Sequence, residues 1–228
     1  MNAAQSFAAP AMIANYVAST PRKVPGYADL HRMAMLLLAE RAPAQADMLV
    51  VGAGGGLELK AFAEAQAGWR FVGVDPSAGM IELARRVLGP LGARVDLRQG
   101  LVDSAPPGPF DGATCLLTLH FLRREERLHT LRETHRRLKP GAPLVVAHHS
   151  IPDGGEASAW LARSAAFAGE PGTGFERAWI SAAMMEEHLP LLSGEEEAAI
   201  QREAGFSDVA LFYAGFSFRG WVAFAGEA

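Results

Sequence analysis

Short apolar runs alternate with amphipathic stretches through the middle of the chain. Residues 48–52 (MLVVG) form a continuous apolar run ending in glycine, the pattern of a strand buried on both faces. Leu57, Ala61 and Ala65 then recur at helical spacing with Phe62 beside them, which predicts a helix over 57–67. Residues 70–75 (RFVGVD) read as a second strand. Ser77 is placed to cap a helix whose buried stripe is Met80, Ile81, Ala84 and Leu88. Residues 93–99 predict a third strand, 110–119 a fourth and 143–149 a fifth. A helix over 123–138, ended by Pro140-Gly141, separates the last two. Strands and helices alternating at this spacing build right-handed βαβ units, hence an α/β fold with a parallel sheet between two helical layers. After Ser150 the pattern changes. Residues 151–205 are helix-rich and broken by glycines, and two strand-like runs, 208–214 and 216–224, flank Gly215 as an antiparallel hairpin. Four parts are expected: a helical N-terminal cap (1–44), a sheet core (45–150), a helical lid insert (151–205) and a terminal hairpin (206–228).

Composition narrows the chemistry. The chain has 228 residues, 50% hydrophobic and 20% charged, with a net charge of −4. That excludes a disordered or fibrous chain and disfavours a protein that grips nucleic acid by charge alone. The charge is uneven: residues 151–205 carry −7 and the remainder +3. Lysine is scarce (Lys23, Lys60, Lys139), which leaves Schiff-base chemistry few candidates. The single cysteine, Cys115, excludes an intrachain disulfide and a cysteine metal cluster, and fits a reducing, cytoplasmic setting. No apolar run reaches the roughly 18 residues of a membrane span, and the N-terminus lacks a signal-peptide pattern. No His or acid pair has metal-ligand spacing, so no metal is expected.

The central feature is VVGAGGGLELKAF. Gly52, Gly54 and Gly56 follow a strand and open a helix, where a tight turn and a close ligand both favour glycine. A dinucleotide fingerprint would put its third glycine at position 57, which is Leu57. Asp75 ends the second strand, where its carboxylate can accept from both ribose hydroxyls. Turn and acid together point to a nucleoside cofactor; a bare strand-to-helix connection is the plainer alternative for the turn alone.

VVGAGGG, GVDPSAGMIELARR, FDGATCLLTLHFL and LRETHRRLKPGAPLVVAHHS, taken in order, resemble the class I S-adenosylmethionine (SAM) dependent methyltransferases over about residues 45–150. The closing AGFSDVALFYAGFSFRGWVAF resembles that fold's terminal hairpin. The resemblance implies a Rossmann-like, seven-stranded, mostly parallel sheet whose last strand is antiparallel. It also implies a SAM site: Gly52, Ala53, Gly54 and Gly56 on the amino-acid and ribose part, and Asp75 on the ribose with Pro76 and Met80 beside it. Leu101 and Val102 would flank the adenine, with Leu116 and Leu117 at the end of strand four. A narrower match, VPGYADLHRMAMLLLAER, LTLHFL and the AGF tail, resembles the bacterial tRNA wobble-uridine carboxymethyltransferases, which use carboxy-SAM. It implies that the N-terminal segment closes over the cofactor and that Tyr27 contacts the methionine carboxylate or the substrate. The chain departs from these patterns. Val50 and Leu101 stand where many class I enzymes have cofactor-binding acids. Ile200 and Leu116 stand where the narrower family holds the extra carboxylate with arginine and asparagine. Ordinary SAM is therefore expected.

His120, after strand four at the ligand-binding edge of the sheet, is the candidate general base, with a strand-end cap as the alternative. His148 and His149 end strand five, and alternation lets one of them face the cleft; His148 is taken as a substrate contact. Trp160, Phe167, Phe175 and Trp179 lie in the insert, where they line a substrate pocket or, more simply, pack. The helix over 123–138 carries arginines 123, 124, 127, 132, 136 and 137, a solvated face or, on the narrower resemblance, an RNA-facing patch. The reading is a SAM-dependent methyltransferase acting on a small molecule in preference to tRNA, without a membrane, and compatible with a homodimer. A tRNA wobble-uridine modifying enzyme and a non-catalytic SAM-binding protein are the alternatives.

Overall fold

The structure, a computed structural model, describes residues 10–170, 172 and 174–226. Its elements are α1 (Pro10–Lys23), α2 (Tyr27–Ala39), β1 (Ala46–Val51), α3 (Leu57–Ala65), β2 (Trp69–Asp75), α4 (Ala78–Leu88), β3 (Val95–Gln99), β4 (Gly112–Leu116), α5 (Arg124–His135), β5 (Pro143–His149), α6 (Ala157–Ala168), α7 (Phe175–His188), α8 (Gly194–Glu203), β6 (Phe206–Gly215) and β7 (Phe218–Ala225). One seven-stranded sheet runs β3-β2-β1-β4-β5-β7-β6, with β7 antiparallel to both neighbours and the other six strands parallel to one another. This is the α/β, Rossmann-like arrangement expected from the alternation.

The central strands are buried on both faces, so each alternate residue feeds a separate core. Met48, Val50, Leu116 and Ala147 face Leu30 and Leu38 of α2 and Leu59 and Phe62 of α3. Leu49, Val51, Cys115 and Val146 face Leu131 of α5 and Ile200 of α8. The order 2-1-4 means that the chain leaves β1 in one direction along the sheet and returns through β4 in the other. The crevice between their carboxyl ends is where open α/β sheets bind ligands.

Several boundaries differ from the sequence expectation. Strand four stops at Leu116, because Leu117 takes φ 56, a left-handed conformation that ends extended pairing. The helix over 123–138 spans Arg124–His135. Residues 89–94 form a 3-10 turn ahead of β3. The expected N-terminal cap divides: α2 is a core helix, with Leu30, Ala34 and Leu38 buried, while α1 lies over the glycine turn. The expected lid divides likewise. The α6–α7 hairpin has a small core of its own, Leu161, Ala162 and Ala182, but α8 packs against α5, β6 and β7. Among the described residues no helix is long and apolar enough to cross a membrane.

Candidate functional site

The turn after β1 is shaped by its glycines. Gly52, Gly54 and Gly56 have φ of 76, 49 and 80, where a side chain is strained, and a Cβ at Gly52 would overlap Thr118. The backbone N–H groups of Gly52 and Ala53 both donate to the Val74 carbonyl at 2.9 Å, which ties the turn to β2. Asp75, at the end of β2, closes the arrangement. Its Oδ2 accepts from the Gly54 N–H and its Oδ1 from the Ser77 N–H, each at 2.9 Å. Burial raises the Asp75 carboxyl, and these two donors oppose that rise. Ser77 caps α4 as expected, its Oγ accepting from the Met80 N–H at 3.3 Å.

The structure brings most of the sequence-derived cofactor residues to this edge. Ala53, Met80, Val102 and Leu116 are buried, and Pro76 is exposed beside Asp75. Leu101 is 59% exposed on the turn after β3, so it presents apolar surface there. Leu117, beside Gly52 and Thr118, carries the left-handed φ; a leucine held there stores strain of the kind that concentrates at functional edges.

Two tyrosines and a glutamate complete the edge. Tyr16 of α1 lies against Gly54 and Gly55, and Ile13 lies against Gly79, so α1 straps the turn and the start of α4. Burial, with Asp75 and Glu58 nearby, pushes the Tyr16 hydroxyl up to about 12. Tyr27 begins α2, its ring 4.3 Å from that of His31, and its hydroxyl is raised by burial and then by Tyr16 and Glu58. Glu58, on the first turn of α3, is buried and accepts from the Thr114 hydroxyl of β4. Sequence reasoning missed Tyr16 and Glu58. The signal available was an acid at the second position of a helix that opens on a glycine turn.

The three histidines separate. His120 lies in a 3-10 turn after β4, 5% exposed, with its ring 4.9 Å from that of His149. Its Nδ1 accepts the His149 N–H at 3.4 Å, which places the proton of the neutral ring on Nε2. Burial and then the neighbouring histidines hold His120 well below the ordinary imidazole value. It is therefore held as a neutral imidazole at the end of β4. His149 packs on Phe218 and shares a hydrogen bond with Ser217 Oγ at 2.7 Å; burial and then His148 push it down to about 3. His148, taken from sequence as a substrate contact, is fully buried on the opposite face. There its Nε2 is 2.9 Å from Glu197, which also pairs with Arg127. Alternation along β5 sends it into that core.

The remaining expectations are also placed. Trp160 is half-buried, with the Arg163 guanidinium 4.4 Å from its ring centroid. Phe167, Phe175 and Trp179 are 46%, 56% and 46% exposed, so these three are neither core nor an enclosed pocket here. Ile200 lies in the core with Leu131 and Phe206. The arginine face is largely spent: Arg124 and Arg132 meet Glu203, Arg136 and Arg137 meet Glu133, and Arg127 is buried. The fold gathers Asp103, His129 and Glu133, which sequence spacing did not suggest, but Glu133 is already engaged by two arginines. A separate open cleft of about 900 Å³ lies at the amino ends of β1 and β2, beside Asp47, Arg70 and Arg94. That is the end of the sheet opposite the glycine turn.

Residues 49–144 match the methyltransferase-domain family. The matched stretch contains the glycine turn, Asp75, His120 and α5. Among curated proteins none matches the chain. Solved structures with the same architecture include the S-adenosylmethionine-dependent methyltransferase SibL in its apo form (18% identity, TM-score 0.63, 85% of this chain and 54% of that one). The pyocyanin biosynthetic protein PhzM is similar at 22% identity and TM-score 0.63, over 86% of this chain and 54% of that one. A chain of the complex formed by the Haloferax volcanii Trm112 methyltransferase activator is similar at 18% identity and TM-score 0.64, over 100% and 99%. At these identities the likeness establishes the shared fold. The chain spans about half the length of SibL and PhzM. Residues 49–144 thus carry a methyltransferase-domain match within a fold shared with these structures, and the wobble-uridine subfamily finds no support among them.

Proposed function

We propose that the protein transfers the methyl group of S-adenosylmethionine to a small-molecule acceptor. One observation carries the reading. Three left-handed glycines close onto a buried Asp75, at the crevice between β1 and β4, inside the stretch matched by the methyltransferase-domain family. Asp75 holds the ribose hydroxyls, with Leu101 and Val102 beside the adenine. The glycine turn has no side chains of its own to hold the ligand off its backbone. Bound SAM supplies an electrophilic methyl on a sulfonium. The chain's own part is to place the acceptor in line and to exclude water. His120 borders the acceptor and orients it, and any proton the acceptor carries is lost to solvent once the methyl is in place. Tyr27 borders the methionine end. Ordinary SAM is favoured over carboxy-SAM, because Leu116 is buried at its end of the site and Ile200 lies in the core, so neither offers a charge to the extra carboxylate.

The experiment is parallel thermal denaturation with SAM, its demethylated product, carboxy-SAM and NAD. A ligand at about 100 times its dissociation constant adds roughly 2.7 kcal/mol, or about 5–10 °C for a chain of this length. The expected result is a shift with the first two, a smaller one with carboxy-SAM and none with NAD. Asp75→Ala abolishes the shifts. Absence of a shift with both SAM and its product overturns the reading.

A further inference from the structure

We propose that Glu58, with the hydroxyls of Tyr16 and Tyr27, is a cation subsite that takes the ammonium of the cofactor's amino-acid tail. The proposal rests on the SAM reading and deepens it by naming a residue outside the glycine motif.

Glu58 is 6% exposed and accepts a hydrogen bond from the neutral Thr114 hydroxyl. Among the described residues no lysine, arginine or histidine forms an ion pair with it, although other buried acids of this chain, such as Glu197, are ion-paired. The titratable groups around it are Tyr16 from α1, Tyr27 from α2 and Cys115 from β4, and its charge raises all three. Asp75 acts on Tyr16 from the other side. The edge thus holds two carboxyls, two phenols and a thiol, with no cation among these groups. Burial pushes the Glu58 carboxyl up to about 8, and the Thr114 hydrogen bond only partly opposes this. A buried carboxyl in such surroundings stays protonated until a positive charge arrives.

Sheet order says which end of the ligand meets it. The strands run β3-β2-β1-β4. An adenine at Leu101 and Val102 lies beyond β3, and a ribose at Asp75 lies at β2. The rest of the ligand therefore crosses β1 toward β4. Glu58 is bonded to Thr114 of β4, and Thr114 is the register partner of Val50 in β1. The amino-acid tail arrives at this place. Its ammonium is the group that would ionise Glu58 and donate to the phenol oxygens as further partners.

The test is calorimetric titration of the full chain at pH 7 in two buffers of different ionisation heat. The probes are SAM, its demethylated product and methylthioadenosine, which keeps adenine and ribose but lacks the amino-acid tail. Wild-type protein is expected to release a proton, approaching one per SAM or product bound and none for methylthioadenosine. Glu58→Gln keeps the shape and the acceptor for Thr114. It is expected to lose the proton release and to weaken SAM and product about 10- to 100-fold, the range of a charge-assisted hydrogen bond, with methylthioadenosine unchanged. Equal affinity of wild type and Glu58→Gln for the product overturns the proposal. So does an equal loss for methylthioadenosine, which would mean that the substitution acts through the fold. Failure of wild type to bind any of the three overturns the SAM reading itself.

Discussion

Replacing Arg127 by methionine should cost the fold more than any surface substitution on α5. Arg127 is fully buried. It pairs with Glu197 and donates to the carbonyls of Leu122 at 3.2 Å and Pro190 at 2.9 Å. It thus joins the start of α5 to α8 and to the segment ahead of it. Burial raises the Glu197 carboxyl, but His148 and then Arg127 outweigh this and hold it below the ordinary glutamate value. Removing the guanidinium leaves a buried carboxylate facing His148 alone. Breaking a buried pair in this way costs about 3–5 kcal/mol. For a domain of this length each kcal/mol is worth roughly 2–4 °C, so the melting temperature should fall by about 6–20 °C in thermal unfolding at pH 7. The double variant Arg127→Met/Glu197→Leu should recover most of the loss, since an apolar replacement of the whole pair is often close to neutral. The pH dependence has a definite sign. The folded-state value of Glu197 is depressed, so its contribution is present above the ordinary glutamate value of 4.5 and is lost as pH falls through the lower folded value. Without Arg127 that depression shrinks, so the deficit of the single variant narrows toward acidic pH. A fall of less than about 1 kcal/mol for Arg127→Met, a value typical of exposed pairs, would refute the buried pairing.

Gly52→Ala should abolish cofactor binding in titration while leaving the far-ultraviolet spectrum intact, because the new Cβ meets Thr118 at φ 76; unchanged affinity would refute the turn geometry. Glu58→Gln should stabilise the apo-protein more at pH 8 than at pH 5. The folded carboxyl sits near 8 against an ordinary value of 4.5, so the native state holds the extra proton and wild-type stability falls as pH rises between them; equal gains in melts at both pH values would contradict this. Ser77→Ala should cost about 1 kcal/mol through loss of the α4 cap, read as a drop of roughly 2–4 °C; a stability within error of wild type would show that the cap is dispensable.

The sheet was legible because its strands are short apolar runs flanked by glycine and by helical stripes. That local pattern is what the buried faces require, and β5 emerges with the expected limits, Pro143–His149. Strand four was overextended because 117–119 is as apolar as the strand itself, and nothing in the composition marks Leu117 as left-handed. At the site, Asp75 and the glycines were readable since both follow from local sequence. Glu58 and Tyr16 were not, for different reasons. Attention to the acid absent at position 50 passed over one eight residues later, which the fold returns to Thr114, the register partner of Val50. Tyr16 reaches Gly54 from a helix separated from the turn by the whole of α2 and β1, a proximity no spacing encodes. His148 and Arg127 are both buried, for one shared reason. Both meet Glu197, on a helix far along the chain, and a long-range ion cluster has no local signature.

That cluster also changes what the charge asymmetry means. The −7 of residues 151–205 first counts as an acidic lid that repels polyanions, and the arginines of α5 as a patch that attracts them. In the fold two of the ten acids of 151–205 are set against these arginines, and a third acid, from α5 itself, takes two more. Glu197 and Glu203 of α8 meet Arg127, Arg124 and Arg132, and Glu133 of α5 meets Arg136 and Arg137. Neither half is then a clean argument about nucleic acid. The α6–α7 hairpin is what remains of the lid. It presents Glu176, Glu186 and Glu187 to solvent beside exposed Phe175, Trp179, Ile180 and Met184, a surface both acidic and apolar. A phosphodiester chain crossing that surface would meet three carboxylates on α7 against one arginine, Arg177. An apolar acceptor, neutral or cationic, would not meet that repulsion. The case for a small-molecule acceptor therefore rests on this hairpin and not on the net charge of the chain.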